Sequence, residues 1–303
     1  MRQTYGEVTI LRGPSHSGKS TIAQFMVADY PDKAMIVSRD IIRQSFGLVG
    51  KGVLTTAQER QVTEIEMDQL RRGIVKGKHV IVDDTNIDPR VIGKIIDECH
   101  LHGVEPTIQE VDTPLEVCLE RAEKDGTVPL DVVRKQHARG FPEPQIRVPL
   151  IETLAPNLSF PPPTAFIFDI DGTLAHYDPK LRDVYDGSKV YLDELDQAVA
   201  YLADQIWYGI EGNYVLVVSG RDSKYREVTK QWLDKHYIPY DRLYMRPEGD
   251  TRHDAAVKYE IAQNIVRDFD VQGVVDDRSR VCRMWRTAGF QTYQVGDHFE
   301  CDF

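Results

Sequence analysis

Short apolar runs and longer stretches of helical periodicity alternate along the whole chain. Residues 7–11, 34–37, 79–82 and 107–111 are β-rich or continuously apolar runs, too short for helices, and read as strands. Between them, the stretch from Lys19 to Ala28 and residues 55–76, 91–102 and 114–124 carry apolar positions at helical spacing, with Thr56 a candidate cap for the longest helix. The alternation resumes with strand-like runs at 165–168, 214–218, 242–245 and 272–275. A helical pattern over 192–207 and a second helix carrying Lys258 lie between them. Strands buried on both faces and separated by helices form parallel sheets, so the pattern predicts an α/β fold in each half of the chain.

Seven of the sixteen prolines fall between Pro142 and Pro163, ending in Pro161, Pro162 and Pro163. Such a stretch cannot sustain a helix and reads as a stiff connector. The expected layout is therefore a first domain over residues 1–150, a proline-rich linker over 151–163 with the boundary near 160, and a second domain over 164–303. The 303 residues allow two cores of ordinary size, and 41% hydrophobic with 28% charged residues is a globular composition. A formal charge of −11 argues against sequence-independent coating of nucleic acid, but leaves room for a polynucleotide end in a small basic pocket. No apolar run reaches membrane length and the first seven residues lack a signal-peptide core, so a cytoplasmic location is expected. Cys99, Cys118, Cys282 and Cys301 lie far apart without metal-ligand spacing, which fits reduced thiols.

The first strand leads directly into Gly13-Pro14-Ser15-His16-Ser17-Gly18-Lys19-Ser20-Thr21 and then a helix. Strand, G-x-x-x-x-G-K-S and helix in that order make a phosphate-binding loop, which calls for ATP or another nucleoside triphosphate with Mg²⁺. Gly13, Ser15, Ser17, Gly18 and Thr21 belong to the loop that closes around the phosphates, Lys19 neutralises the β and γ oxygens, and the Ser20 hydroxyl ligates the metal. Asp40, just past the second strand, is placed either to accept a proton from an acceptor hydroxyl or to cap the next helix. Arg43, nearly one turn on, suits an acceptor phosphate. Asp84, after the third strand, is either a metal-water or arginine partner or an Asx turn. Arg121, on the helix after the fourth strand, is the candidate lid cation over the donor phosphates. Arg134, Lys135, Arg139 and Arg147 form either a solvated basic face or a second bank of phosphate contacts.

In the second half, Phe168-Asp169-Ile170-Asp171-Gly172-Thr173-Leu174 follows an apolar strand and places two carboxylates at its carboxyl end. Asp169 can attack phosphorus, Asp171 can protonate the leaving oxygen, and Gly172 permits the tight turn. Ser219, at the end of the strand over 214–218, can hold a phosphate oxygen, and Arg221 can reach a substrate. Lys258 can offset the charge of a phosphate beside several carboxylates. Asp276 and Asp277, at a further strand end, complete the set of acids that Mg²⁺ needs to bridge protein and phosphate.

The pattern D-x-D-G-T-L, followed in order by Ser219, Lys258 and Asp276-Asp277, resembles the haloacid dehalogenase superfamily. Taken together, the halves resemble the phage polynucleotide 5′-kinase/3′-phosphatase family, with the kinase N-terminal and the phosphatase C-terminal. The most specific matches are Arg39-Asp40 with Arg43, Asp84-Thr85-Asn86, Gly249-Asp250-Thr251-Arg252 and Val274 to Arg278, leading to Met284-Trp285-Arg286. The resemblance implies a P-loop kinase fold joined to a Rossmann-like phosphatase. It implies transfer of the ATP γ-phosphate to 5′-OH ends of RNA or DNA, removal of 3′-phosphates including 2′,3′-cyclic ends, and no membrane partner. By that similarity Asp40 is the kinase general base, Arg43 binds the acceptor's 3′-phosphate with Asp84 supporting it, and Arg121 serves the lid. Asp169 is then the nucleophile and Asp171 the acid/base. Arg182, Ser219, Arg221, Arg252, Asp254 and Lys258 shape the phosphate pocket, and Asp277 binds metal with Asp169 and the Asp171 backbone. A homo-oligomer, up to a tetramer, and the host cytoplasm of a phage product also follow from the resemblance. The chain departs where the family has a second lid arginine: Asp125 stands there, so Lys124 or Arg134 is expected to substitute. A metabolic kinase/phosphatase fusion, and a nucleotide-dependent binding protein without turnover, are the competing readings.

Overall fold

The apolar runs form two parallel sheets, each the floor of one compact unit. The computed structural model describes residues 6–46, 54–156, 162–183, 186–209 and 212–296, so Pro161, Cys301 and the expected boundary near residue 160 lie outside the described residues. Contacts divide the chain into a unit over Met1–Leu150 and a unit over Ile151–Phe303.

The first unit runs β1 (Val8–Arg12), α1 (Lys19–Asp29), β2 (Ala34–Val37), α2 (Arg39–Ser45), α3 (Thr56–Val75) and β3 (His79–Asp83). It continues with α4 (Pro89–Leu101), β4 (Thr107–Glu110), α5 (Leu115–Asp125) and α6 (Leu130–Arg139). Its strands lie in the order β2-β3-β1-β4, all parallel, with Leu11 opposite Asp83 and Arg12 opposite Glu110. Helices cover both faces of this sheet. Val8, Ile10, Val80 and Val82 pack with Leu70, Ile74, Ile92 and Ile96 from α3 and α4, while Leu11 and Ile81 pack on the other side with Ala23 of α1. The first βα turn therefore opens at the carboxyl end of the central strand β1, where open α/β sheets bind ligands.

The second unit runs β5 (Thr164–Phe168), β6 (Ala175–His176), β7 (Glu194–Leu195), α7 (Gln197–Gly209), β8 (Tyr214–Asp222) and α8 (Arg226–Lys235). It closes with β9 (Arg242–Arg246), α9 (Asp254–Asp268), β10 (Asp270–Asp276), α10 (Ser279–Thr287) and β11 (Thr292–Gln294). Its parallel sheet has the order β11-β10-β5-β8-β9, so β5 is central and delivers Asp169 between the ends of β10 and β8. The short antiparallel pair β6 and β7 stands apart from this sheet.

Element ends differ from the sequence expectation where polar side chains bind backbone. Thr55 caps α3 in place of Thr56, in a reciprocal capping box with Gln58. Asp88 caps α4 with Pro89 in its first turn, two residues before the expected start. Asp196 accepts the Ala198 and Val199 N–H groups, so α7 begins five residues late, and residues 187–192 form a 3₁₀ turn instead. Strand β8 runs on through Ser219 and Arg221 to Asp222, with a bulge in its pairing to β9.

Residues 142–156 of the proline-rich stretch form no helix or strand and are fastened by side-chain and backbone hydrogen bonds. In the first unit Asp97 accepts the Arg147 and Val148 N–H groups, and Gln145 N–H donates to Pro89 O. In the second, Tyr259 Oη accepts the Glu152 N–H and Leu154 N–H donates to Ala288 O. Pro excludes a helix here, yet the N–H groups of Gln145, Arg147, Val148, Glu152 and Leu154 find partners.

Close helix-to-sheet approach in the first unit depends on Gly73 of α3. A Cβ there would lie 2.4 Å from Val80 Cγ2 and 2.8 Å from Met35 Sδ. Gly73→Ala should destabilise this unit by about 1–3 kcal/mol despite its better helix propensity, read as a lower unfolding midpoint.

Candidate active sites

In the first unit, the loop between β1 and α1 is anchored by Gly13 N–H, which donates to Thr85 O at 3.0 Å. Gly18 takes φ +102°, so the chain turns into α1 without a Cβ penalty. Lys19 is buried and its Nζ donates to Pro14 O at 2.7 Å. Burial pulls the Lys19 ammonium below its ordinary value, against the nearby Asp83 and Asp84 carboxylates. Ser20 hydrogen-bonds Asp83, whose carboxyl burial pushes up. Asp83, the last residue of β3, is thus the acid beside the expected metal-ligating hydroxyl; the sequence reading passed over it for its neighbour Asp84.

The acceptor side is built by α2 and α3. Asp40 is exposed in the first turn of α2 and makes no cap; Ser38 is the residue at the N-cap. Its Oδ1 accepts from Arg43 at 2.8 Å, and Arg43 also grips Glu59 of α3 through Nε at 3.0 Å. Asp84 does not support Arg43 directly as expected. It pairs with Arg39 at 3.6 Å, while its carboxyl also accepts the Thr85 N–H at 2.7 Å. Arg39 in turn spans Glu59, Thr63 and Glu66. The long helix α3, which showed no chemistry in the sequence, is therefore the support for both arginines.

Over the loop, Arg121 of α5 donates to His16 O at 3.1 Å. One turn on, Asp125 Oδ2 lies 3.8 Å from His16 Nε2. Of the expected substitutes for a second lid cation, Lys124 pairs with Glu120 at 2.6 Å on the exposed side of α5, and Arg134 is exposed. Of the other basic residues, Lys135 pairs with Asp131 and Arg139 with Asp88, which makes them a salt-bridged surface.

In the second unit, Asp169 leaves β5 buried, with its Oδ1 2.8 Å from Lys258 Nζ. Lys258, 1% exposed on α9, also binds Asp276 at 2.8 Å and lies 3.8 Å from Asp254. Carboxylate oxygens of Asp169, Asp276 and Asp277 lie within 4.8 Å of one another. Although burial works against charge, these acids hold the Lys258 ammonium well above its ordinary range. Burial pushes Asp169 well up, reinforced by Asp276 and Asp277 and opposed by Lys258. Asp276 is further fixed by Trp285 Nε1, which donates to it at 3.1 Å. Three acids share one ammonium, so the excess negative charge fits a divalent cation. The Asp171 side chain is absent from this cluster.

Asp171 instead faces Arg221, which donates to both of its oxygens at 2.7–3.0 Å, with Arg182 at 3.5 Å. Against the opposing effect of burial, these guanidiniums hold its carboxyl below the usual range. Asp193, buried and unremarked in the sequence, locks both arginines at 2.6 and 2.8 Å. Ser219 lies within the extended β8 and its Oγ accepts the Arg221 N–H at 3.2 Å. Arg221 Nη1 is buried without a hydrogen-bond partner among the described residues, an open donor beside the acids. Asp254 is held by Arg246 at 3.0 Å and Arg278 at 3.3 Å. Arg252 is half-exposed, pairing with Asp250 and Glu260. Asp169, Asp171, Arg182, Arg221, Arg246, Arg252, Asp254 and Arg278 line a cavity of about 440 Å³, larger than one phosphate, with Lys224 and Tyr225 on its wall. Arg246 had no assigned role, and Arg278 was named only within the Val274 to Arg278 match.

Residues 163–299 match the family model of the polynucleotide kinase PNKP phosphatase domain, and residues 8–141 match that of an AAA domain. The first of these matches spans most of the second unit. The Asp169 cluster and the Lys19 loop fall inside those matches. Over 301 residues the chain is 29% identical to the "Putative bifunctional polynucleotide kinase/RNA ligase" of Autographa californica nuclear polyhedrosis virus, covering 92% of this chain. It spans 41% of that relative's length. Among solved structures, one of the Pnkp1/Rnl/Hen1 RNA repair complex aligns at 26% identity with TM-score 0.46, covering 96% of both chains. A shikimate kinase from Acinetobacter baumannii, solved with shikimate, aligns at 16% identity with TM-score 0.32, over 45% of this chain and 73% of its own. Among the described residues no helix is long and apolar enough to cross a membrane.

Gly172, at φ +85°, lets Asp277 close on the turn: a Cβ there would sit 2.1 Å from Asp277 Oδ2. Gly172→Ala should displace that carboxylate and lower phosphate release at least tenfold, with phosphate transfer from ATP unchanged as the control measurement.

Proposed function

We propose that the protein heals nucleic-acid ends: the P-loop unit phosphorylates 5′-OH ends from ATP, and the phosphatase unit removes 3′-phosphates. The observation that carries this is the buried Asp169–Lys258–Asp276 arrangement at adjacent strand ends, within a unit matching the phosphatase domain of polynucleotide kinases. RNA ends, including 2′,3′-cyclic phosphates, are the proposed substrates, a choice supported by the relative whose name joins polynucleotide kinase to RNA ligase.

In the phosphatase, Asp169 attacks phosphorus to form an aspartyl phosphate while Lys258 offsets the gathering charge. Arg221, through its open Nη1, and Arg278 take up phosphate oxygens, with Arg182, Asp254 and Ser219 holding them in place and Arg252 at the cavity rim. Asp171 gives a proton to the departing O3′ and then takes one from the water that hydrolyses the intermediate. Its pairing with Arg221 keeps it ionised in the ligand-free protein, which suits the second step; a phosphate that draws Arg221 away favours protonation for the first. Asp169, Asp276, Asp277 and the Asp171 backbone would hold Mg²⁺, which supplies charge neutralisation at phosphorus. In the kinase, Lys19 and Arg121 neutralise the donor phosphates, Ser20 and Asp83 would hold the nucleotide's Mg²⁺, Asp40 accepts the proton of the acceptor hydroxyl, and Arg43 binds the acceptor phosphate.

Labelled ATP with a 5′-OH oligonucleotide, and a 3′-phosphorylated oligonucleotide in parallel, test the reading. Asp169→Asn should abolish phosphate release and leave transfer nearly intact, and Lys19→Ala should do the reverse; loss of both activities in one folded variant would contradict two independent sites. Arg43→Ala should cost about 1.5–3 kcal/mol, the scale of a charge-assisted hydrogen bond, in acceptor rather than ATP affinity. Unchanged acceptor affinity would favour a small-molecule kinase.

A further inference from the structure

The peptide unit joining Pro14 to Ser15, in the phosphate-binding loop, is held from both edges. On one edge Lys19 Nζ donates to Pro14 O at 2.7 Å. On the other, Ser15 N–H donates to Gln136 Oε1 at 2.8 Å. Gln136 lies on α6, which packs on α5 through Cys118, Ala122 and Val133. The pair of helices therefore reaches adjacent loop residues, with Gln136 on Ser15 N–H and Arg121 on His16 O.

The amide's orientation follows from this contact. A backbone N–H can only donate, so the oxygen of the amide must face Ser15 and the NH₂ must face away from it. Among the described residues that NH₂ makes no hydrogen bond, and Gln136 is half-buried. An amide fixed by its oxygen at the loop, with two free donors and a lysine parked on the same peptide, is arranged to meet an anion.

We infer that Gln136 is a donor-site residue: its NH₂ hydrogen-bonds the terminal phosphate of the bound nucleoside triphosphate while its oxygen keeps α6 docked on the loop. This rests on the reading of the first unit as a nucleotide-binding kinase. On the same geometry, Lys19 leaves Pro14 O for the phosphates, and Gln136 holds the vacated peptide in place. The contact belongs to the γ-phosphate, so it distinguishes a triphosphate from a diphosphate.

The test compares binding of ADP and of a non-hydrolysable ATP analogue, each with Mg²⁺, to the full chain and to Gln136→Met, which keeps side-chain length and apolar contact but loses both hydrogen bonds. The variant should bind the analogue about tenfold or more weakly and ADP within about twofold, and kinase turnover should fall with the analogue affinity. Gln136→Glu, which keeps the acceptor and loses the donors, should show the same selective loss. Equal weakening of both nucleotides would overturn the inference, because Gln136 would then shape the loop without touching the γ-phosphate. So would unchanged analogue binding. If the unmodified chain binds neither nucleotide, the kinase reading itself fails, an outcome separate from a defect confined to the variants. Phosphate release from a 3′-phosphorylated oligonucleotide reports that each variant is folded and should stay at the unmodified level.

Discussion

One buried ammonium holds the phosphatase unit's chemistry together. Lys258 is nearly inaccessible to water and touches Asp169 and Asp276 at hydrogen-bond distance, with Asp254 just beyond. Burying several carboxylates at adjacent strand ends is unfavourable unless the charge is compensated, and removing one partner of such a set leaves an uncompensated ion. The rest of the architecture serves that compensation. Strand β5 brings in Asp169, β10 brings in Asp276 and Asp277, and α9 turns Lys258 between them. A second, separately neutralised group, Asp171 and Asp193 with Arg182 and Arg221, lies beside the first.

The two groups give neighbouring carboxylates opposite character. Asp169 is pushed up by burial among other acids, and Asp171, two residues on, is held down by guanidiniums. The difference arises because the two residues past the strand end face different neighbours, and in the ligand-free protein it is the reverse of an ionised nucleophile beside a protonated acid, so bound cation and phosphate must shift both groups. A cation in the acid cluster would draw Asp169 toward its ionised form. The P-loop unit follows the same logic with the sign reversed, since Lys19 is buried among Asp83 and Asp84 and is lowered by desolvation.

Much of this was legible in the sequence. Alternating apolar runs and helical stretches give both parallel sheets, and short motifs at strand ends name Lys19, Asp169, Asp171 and Asp277, because strand-end chemistry is local in sequence; Lys258, inside α9, was reached through its place in the motif order. What was not legible depends on contacts between distant segments. Glu59 supports Arg43 across 16 positions, Asp193 locks Arg221 across 28, and Gln136 reaches Ser15 across 121. Such residues have ordinary neighbours and no local signature. Asp83 was not singled out because the apolar run ends at Val82; the register of Leu11 with Asp83 places it at the end of β3, beside Ser20. At the position of the missing lid arginine, the structure places Asp125 against His16, a contact between residues far apart in sequence.

The central claim is that Asp169, held against Lys258, carries the phosphate covalently. Acid quenching of the protein during turnover of a 3′-phosphorylated oligonucleotide with Mg²⁺, followed by peptide mass spectrometry, tests it most directly. The account predicts a single phosphate on the peptide containing Asp169, appearing and decaying at rates consistent with turnover. Phosphate release at full rate with no adduct at Asp169, or an adduct on another residue, would contradict it.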